Sequence, residues 1–254
     1  MSKSNRQVIR AIANRKDEFY TNYEDIEREL SYYPDQFKDK VVYCNCDEPT
    51  SNFVKFFSDH FSEFRLKKLI ATCYQHKHTN RKAMAVIYER SPRGVRMHQH
   101  ALRGNGDFRS KECLAYLAES DIVCTNPPFS LFIDFFGQLY YHKKNFLIIG
   151  HKLAYSCVNI CLAFLDEWCW FGVTEPKNFT IPKNYFGDGK DKRSVTACWY
   201  TNLVHGVEPP ILELTEKYDP EKYPRLESHV NAIYVKGLRS IPYGWKGVAD
   251  QSSQ

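Results

Sequence analysis

No apolar run in this 254-residue chain approaches the roughly 20 residues that a membrane-spanning helix needs. The opening stretch, MSKSNRQVIRAIANRKDEFYT, is too polar for a secretory signal. Both absences point to a cytoplasmic protein with no membrane partner. No C-x-x-C pair occurs among the nine cysteines, and their count is odd. Most sit in apolar runs, and no ligand spacing links them to the nine histidines. Neither a disulfide framework nor a metal site is supported, and reduced, buried thiols are expected. The chain also lacks internal repeats and any low-complexity tract beyond the terminal QSSQ. Strong charge imbalance is missing too, since the formal net charge is only +5, which mildly favours a polyanionic partner.

What remains is ordinary globular composition, 43% hydrophobic and 26% charged, sized for one domain or one domain with an appended piece. Aromatics reach 15%, enough to fill a core and to provide platforms for bases. Residues 4–17 predict a short helix, and residues 23–31 a second one stopped by Pro34. VVYC (41–44) reads as a strand, followed by a helix capped by Thr50 or Ser51 with Phe53, Phe56, Phe57 and Phe61 on its core face. LKKLIATCY (66–74) is the next strand, and GNGD (104–107) marks a turn at the end of a short third strand. Helix 110–119, strand 121–125, a helix capped by Ser130, strand 145–150 and a helix over about 152–166 follow. WCWFGV (168–173) and SVTACWYTNL (194–203) can form an edge hairpin. The proline-rich remainder has one strand candidate, AIYVKG. Alternating strands and helices, with several strands continuously apolar, predict an α/β fold: a mostly parallel sheet with helices on both faces. Ligands of such sheets bind beyond the carboxyl ends of the strands. Asn126, Asn45-Cys46-Asp47 and Asp107 are all predicted to lie there.

The most specific segment is Asp121-Ile122-Val123-Cys124-Thr125-Asn126-Pro127-Pro128-Phe129. A buried strand running into Asn-Pro-Pro-Phe suits methyl transfer to a conjugated amine. The lone pair of such an amine is delocalised into its ring and attacks poorly. Two acceptors that hold its hydrogens in tetrahedral directions free that lone pair. The Asn126 side-chain oxygen and the Pro127 carbonyl can be those acceptors, the two prolines stiffen the turn, and Phe129 can stack on the base. The plainer alternative is a rigid strand-to-helix turn with Phe129 in the core. Asp107 can likewise be a turn carboxylate, Asp47 a helix lead-in, and Phe19 a core aromatic.

Seven segments in order resemble EcoRI-type adenine-specific DNA methyltransferases. They are KDEFYT (16–21), KVVYCNCDEPTSNF (40–53), KKLIATCY (67–74), GDFRS (106–110), DIVCTNPPFSLF (121–132), NFLIIG (145–150) and WYTNL (199–203). The resemblance implies a Rossmann-like class I methyltransferase fold of seven strands, S-adenosylmethionine as donor, and adenine N6 in double-stranded DNA as acceptor. It implies that Phe19 and Thr21 contact the methionine part of the cofactor. Asn45, Cys46 and Asp47 match the loop after the first strand, Asp107 and Phe108 the cofactor's adenine site, and Asn126 to Phe129 the catalytic tetrapeptide. Residues 1–203 then form the catalytic domain, with insertions at 76–105 and 174–195, and 204–254 an extension belonging to the DNA-recognition region. The loop CNCDEPTSNF lacks the glycines many methyltransferases carry there, and strand 66–74 ends without a ribose-binding carboxylate. After IPYGW (241–245) the family's longer apolar continuation is missing, so part of the DNA-reading region is expected to be absent. Methylation of RNA, methylation of cytosine N4, and a DNA-binding protein without catalysis are the competing readings. No obligatory protein partner is expected.

Residues 76–105 carry Lys77, Arg81, Lys82, Arg90, Arg93, Arg96 and Arg103 against the single acid Glu89. KAMAVIYE (82–89) inside this cluster alternates like a strand. A basic hairpin near the active rim that neutralises phosphates is one reading, and a solvated charged loop is the other. Segment 174–195, with Lys177, Lys183, Lys190, Lys192 and Arg193, is a second candidate DNA surface. A target amine inside a duplex cannot react, which implies base flipping.

Overall fold

A computed structural model describes residues 20–75, 82–177, 179–180, 192–193, 196–207, 214–227, 229–235 and 241–245. The predicted N-terminal helix, Phe19, Lys77, Arg81, Lys183 and Lys190 lie outside them. The chain divides into two compact units, Met1–Val207 and Glu208–Gln254.

The first unit is built on an eight-stranded sheet. Its centre is four parallel strands: β2 (Val41–Asn45), β3 (Lys68–Cys73), β6 (Ile122–Thr125) and β7 (Asn145–His151), in the order β3-β2-β6-β7. Their apolar, β-branched runs are buried on both faces, as central parallel strands require. Alternation divides them cleanly. Val42 and Cys44 face one core together with Ile26 and Leu30 of α1 (Tyr23–Leu30) and Phe53 and Phe57 of α2 (Asn52–Asp59). Val41 and Tyr43 face the other, with Leu117 of α3 (Lys111–Glu119), Phe132, Phe135 and Phe136 of α4 (Phe132–Tyr141), and Ile160 and Ala163 of α5 (Val158–Leu165). Each fully buried ring contributes about 1.5–3 kcal/mol of hydrophobic stabilisation. Ser51 and Ser110 accept the N–H of Val54 and Cys113 and start α2 and α3. Ser130 is not the cap of α4. A short 3-10 turn, Phe129–Leu131, leads into that helix instead.

The sheet differs from expectation at its edges. It has eight strands rather than seven, and three of its pairings are parallel against four antiparallel. On one side β4 (Met84–Ser91) pairs antiparallel with β3, and β5 (Gly94–Ala101) pairs antiparallel with β4. The basic segment is therefore a hairpin that extends the sheet. A parallel return needs a crossover of a dozen or more residues, and the stretch between Cys73 and Met84 is shorter. Ala85, Val86 and Ile87 are buried against β3, whereas all of β5 is exposed. On the other side β11 (Ala197–Thr201) runs antiparallel to β7 and to the short β8 (Trp170–Phe171), which is the anticipated edge hairpin.

A second, three-stranded sheet joins β1 (Tyr20–Thr21), β9 (Phe179–Thr180) and β10 (Lys192–Arg193), so part of segment 174–195 is strand. Two buried carboxylates of α1 hold the chain that leads to it. Glu29 accepts the N–H of Val173 and Thr174, and Asp25 accepts that of Lys177. The second unit contains the hairpin β12 (Arg225–Leu226) and β13 (His229–Ile233), and Tyr218 packs on Trp245 with ring centroids 4.8 Å apart. β13 overlaps the expected AIYVKG strand and begins earlier. No helix among the described residues is long and apolar enough to cross a membrane.

Candidate active site

Chain order places β3 on one side of β2 and β6 then β7 on the other. The order in which strands are added reverses between the parallel neighbours β2 and β6, and a crevice opens there, beyond the strand carboxyl ends. A cleft of about 500 Å³ lies at this point, a size within the range of small-molecule sites. Thr21, Cys46, Asp47, Asn52, Asp107, Phe108, Arg109, Asn126 and Pro128 are among the residues that line it.

Cys46 follows β2 with φ of +79°, the left-handed conformation that a glycine would ordinarily supply. The loop without glycine therefore turns through a strained cysteine, at a cost of order 1–3 kcal/mol. Burial pushes the Cys46 thiol well up, so it stays protonated. Gly106 has φ of +75°, and an added Cβ would stand 2.1 Å from the Cys73 carbonyl oxygen. Only glycine lets the loop before α3 lie this close to the end of β3, where Gln75 N–H donates to the Asn105 carbonyl at 2.8 Å. Asp107 thus reaches the rim beside β3. It does not end a strand of its own, in contrast to the sequence reading. Its carboxylate accepts Arg109 Nε at 3.0 Å and Nη2 at 2.8 Å, and this fork holds the carboxyl below its usual range. The Phe108 ring is buried edge-on to Phe135, 5.1 Å between centroids.

Asp47 is only 7% exposed, and burial raises its carboxyl to about 7 in spite of hydrogen bonds from Thr125, Ser51 and the Asn126 backbone N–H. The Thr125 hydroxyl lies between this carboxyl and the Asn45 carbonyl. The Thr125 hydroxyl hydrogen is shared between these two acceptors, and a proton on Asp47 relieves that competition. A carboxyl that holds its proton more tightly folded than unfolded stabilises most at acid pH, and that contribution declines as pH rises from about 4 through about 7. The melting temperature should therefore fall between about pH 5 and about pH 8 relative to an Asp47→Asn variant. Parallel curves for the two proteins would contradict the buried proton.

Asn126 closes the network. Its Nδ2 donates to Thr21 Oγ1 at 3.2 Å, and Asn52 Nδ2 donates to the Thr21 carbonyl at 2.7 Å. Phe129 is buried, with its ring edge-on to Phe179 at 6.3 Å and to His151 at 6.5 Å.

With this geometry in hand, the family described as adenine-specific methyltransferase EcoRI matches residues 7–250. The chain belongs to the EcoRI adenine-specific methyltransferase family. It is 36% identical to the type II methyltransferase M.EcoRI of Escherichia coli, over 96% of this chain and 83% of that protein. It is 36% identical to the type II methyltransferase M.MpnI of Mycoplasma pneumoniae, over 94% of this chain and 77% of that protein. A third relative, M.MgeORF184P of Mycoplasma genitalium, is 34% identical over 94% and 78% of the two chains. No solved structure matches the chain significantly.

Among the residues expected to serve an EcoRI-family site, the structure gathers Thr21, Cys46, Asp47, Asp107, Phe108, Asn126 and Pro128 around one cleft. Asn45 lies beneath it, fully buried, with its side-chain oxygen 3.3 Å from the Thr72 hydroxyl. Pro127 is buried beside Asn126. The hairpin cations spread along the sheet. Lys82 is near the rim, where Met84 pairs with Cys73. Arg90, Arg93 and Arg96 lie toward the other end, where Glu89 pairs with Lys68, five residues back along β3 and roughly 17 Å away. They were expected beside the active rim. The antiparallel return carries them from it, and Arg90 meets Asp39 at 3.2 Å. Sequence reasoning missed Asn52, Thr125, Arg109 and Asp134. Asn52, inside KVVYCNCDEPTSNF, Arg109, inside GDFRS, and Thr125, inside DIVCTNPPFSLF, stood within recognised segments, whereas Asp134 did not.

Proposed function

We propose that this chain methylates the exocyclic N6 of adenine in double-stranded DNA, using S-adenosylmethionine, with the target base flipped from the duplex. The observation that carries the reading is the convergence of Asn126 and an acidic cleft at the reversal point of the sheet. The lining includes the carboxylates of Glu48, Asp107 and Asp134, the carboxyl of Asp47 that burial keeps largely protonated, and the single described cation Arg109. Such a wall favours a cationic cofactor and disfavours the phosphates of a dinucleotide. S-adenosylmethionine fits this charge and, when bound, supplies an electrophilic methyl group on a sulfonium. Asp107 would accept from the cofactor's adenine amine, with Arg109 keeping the carboxylate ionised. Asn126 Oδ1 and the Pro127 carbonyl would accept the two N6 hydrogens of the target and turn its lone pair toward the methyl group. Phe129 would stack on the flipped base.

The order of the parallel strands supports a Rossmann-like class I methyltransferase core within residues 1–203, and we assign residues 204–254 to DNA recognition. The type II description of the relatives supports a modification role, either paired with a restriction enzyme or solitary. The test is labelled methyl transfer to unmodified DNA followed by digestion to nucleosides. Label in N6-methyl-2′-deoxyadenosine is expected, and label in N4-methyl-2′-deoxycytidine, or transfer to RNA in place of DNA in a parallel assay, would overturn the reading.

We also assign phosphate binding to the basic hairpin, through Lys77, Arg81, Lys82, Arg90, Arg93 and Arg96. A duplex is wide enough to extend from the cleft along β4 and β5. Replacing Arg90, Arg93 and Arg96 by alanine should lower the slope of log affinity against log salt by about 0.9 for each phosphate that is no longer neutralised. An unaltered slope places the phosphates elsewhere on the surface.

A further inference from the structure

We propose that Thr21 is a positioning residue for methyl transfer: its hydroxyl anchors the Asn126 side-chain amide at the wall of the cleft. The inference rests on the reading of Asn126 as an acceptor for the target amine. The resemblance assigns Thr21 to the cofactor's methionine part, whereas the geometry points to a different task.

An asparagine amide has two ends of nearly equal shape and opposite chemistry. With Oδ1 toward the target amine it accepts a hydrogen. Turned over, it presents N–H groups to N–H groups, and the amine is repelled. Asn126 Nδ2 donates to Thr21 Oγ1 at 3.2 Å, which ties the amide to the wall of the cleft, and Oδ1, the end a target amine would meet, is buried. A hydroxyl can donate as well as accept, so what Thr21 fixes is the place of the amide.

Thr21 is itself firmly held, as a positioning residue must be. It is 4% exposed, and it pairs with Phe179 in the small sheet. Its carbonyl accepts Asn52 Nδ2 at 2.7 Å, and Asn52 follows directly on Ser51, the cap of α2. The same small sheet presses Phe179 edge-on to Phe129, 6.3 Å between centroids. It therefore touches the catalytic tetrapeptide at both ends. On the strand side Asp47 receives the Asn126 backbone N–H, so main chain and side chain are fixed by different partners.

The experiment compares Thr21→Val, which keeps the branched shape and removes the hydroxyl, with Thr21→Ser, which keeps the hydroxyl. Single-turnover methyl transfer is measured on preformed enzyme–DNA complex at saturating S-adenosylmethionine, and cofactor affinity by calorimetry. Thr21→Val should lower the saturated rate about tenfold, the scale of one neutral hydrogen bond. Its cofactor Kd should stay within about threefold, and Thr21→Ser should restore the rate. An unchanged saturated rate overturns the proposal, whether or not the Kd rises. A fall that Thr21→Ser does not repair overturns it as well. Were Thr21→Val to fold poorly, Thr21→Ala removes the same hydroxyl from a smaller side chain and carries the same expectation. Full activity of Asn126→Ala would instead sink the acceptor reading, so the two failures are distinct.

Discussion

Replacing Asn126 by alanine should cut the methyl-transfer rate at saturating substrates by about 10²–10³-fold, the scale seen when one preorganised polar group facing a reacting centre is removed. S-adenosylmethionine affinity should hardly change. The asymmetry follows from where the residue sits. Asn126 follows the last residue of β6, and its backbone N–H goes to Asp47. Alanine keeps that bond and the turn made by Pro127 and Pro128. What disappears is a side-chain oxygen whose demand arises only as the target nitrogen changes shape. An interaction made in the transition state and not in the ground state raises kcat without tightening binding. Single-turnover rates and calorimetry separate the two, and a variant with full activity would remove Asn126 from the chemistry.

The second large effect falls on binding. Asp107→Ala should weaken S-adenosylmethionine affinity about 10–100-fold, since a hydrogen bond to a charged acceptor is worth about 1.5–3 kcal/mol. Two effects coincide. The acceptor for the cofactor's adenine amine goes, and the Arg109 guanidinium is left without the carboxylate that accepts its Nε and Nη2. That cation then faces a cationic ligand with less compensation. The rate at saturating cofactor should be largely kept, because Asp107 and Asn126 sit in different loops, one before α3 and the other after β6. Calorimetric titration is the check, and an unchanged Kd would take Asp107 out of the site.

Much of this arrangement was legible in the sequence because burial leaves a periodic trace. The apolar runs read at 41–44, 121–125 and 145–150 announced strands covered on both faces, and the phenylalanine spacing of 53–61 announced a helix with one core face. The rim followed from polar residues placed directly after those runs. Periodicity does not record partners, and this is where expectation failed. KAMAVIYE showed a strand, but nothing in it said that β3 would be its neighbour or that the return would be antiparallel. Asp107 was rightly placed at the rim but not directly at a strand end, since β5 stops at Ala101 and the position of Asp107 depends on how closely Gly106 approaches Cys73. The hydrogen bonds among Thr21, Asn52 and Asn126 join residues up to 105 positions apart. The hydrogen bond from Thr125 to Asp47 is equally non-local, over 78 positions. Such pairings arise from packing, and single-sequence patterns carry no signal for them.

The measurement that bears most directly on the central claim is a crystal structure of the protein with duplex DNA and S-adenosylhomocysteine. The account predicts an extrahelical adenine with N6 about 3 Å from both Asn126 Oδ1 and the Pro127 carbonyl, and the cofactor's adenine amine on Asp107. A cofactor bound away from the Asp107 side of the cleft, or a target base whose amine meets neither Asn126 nor Pro127, would contradict it.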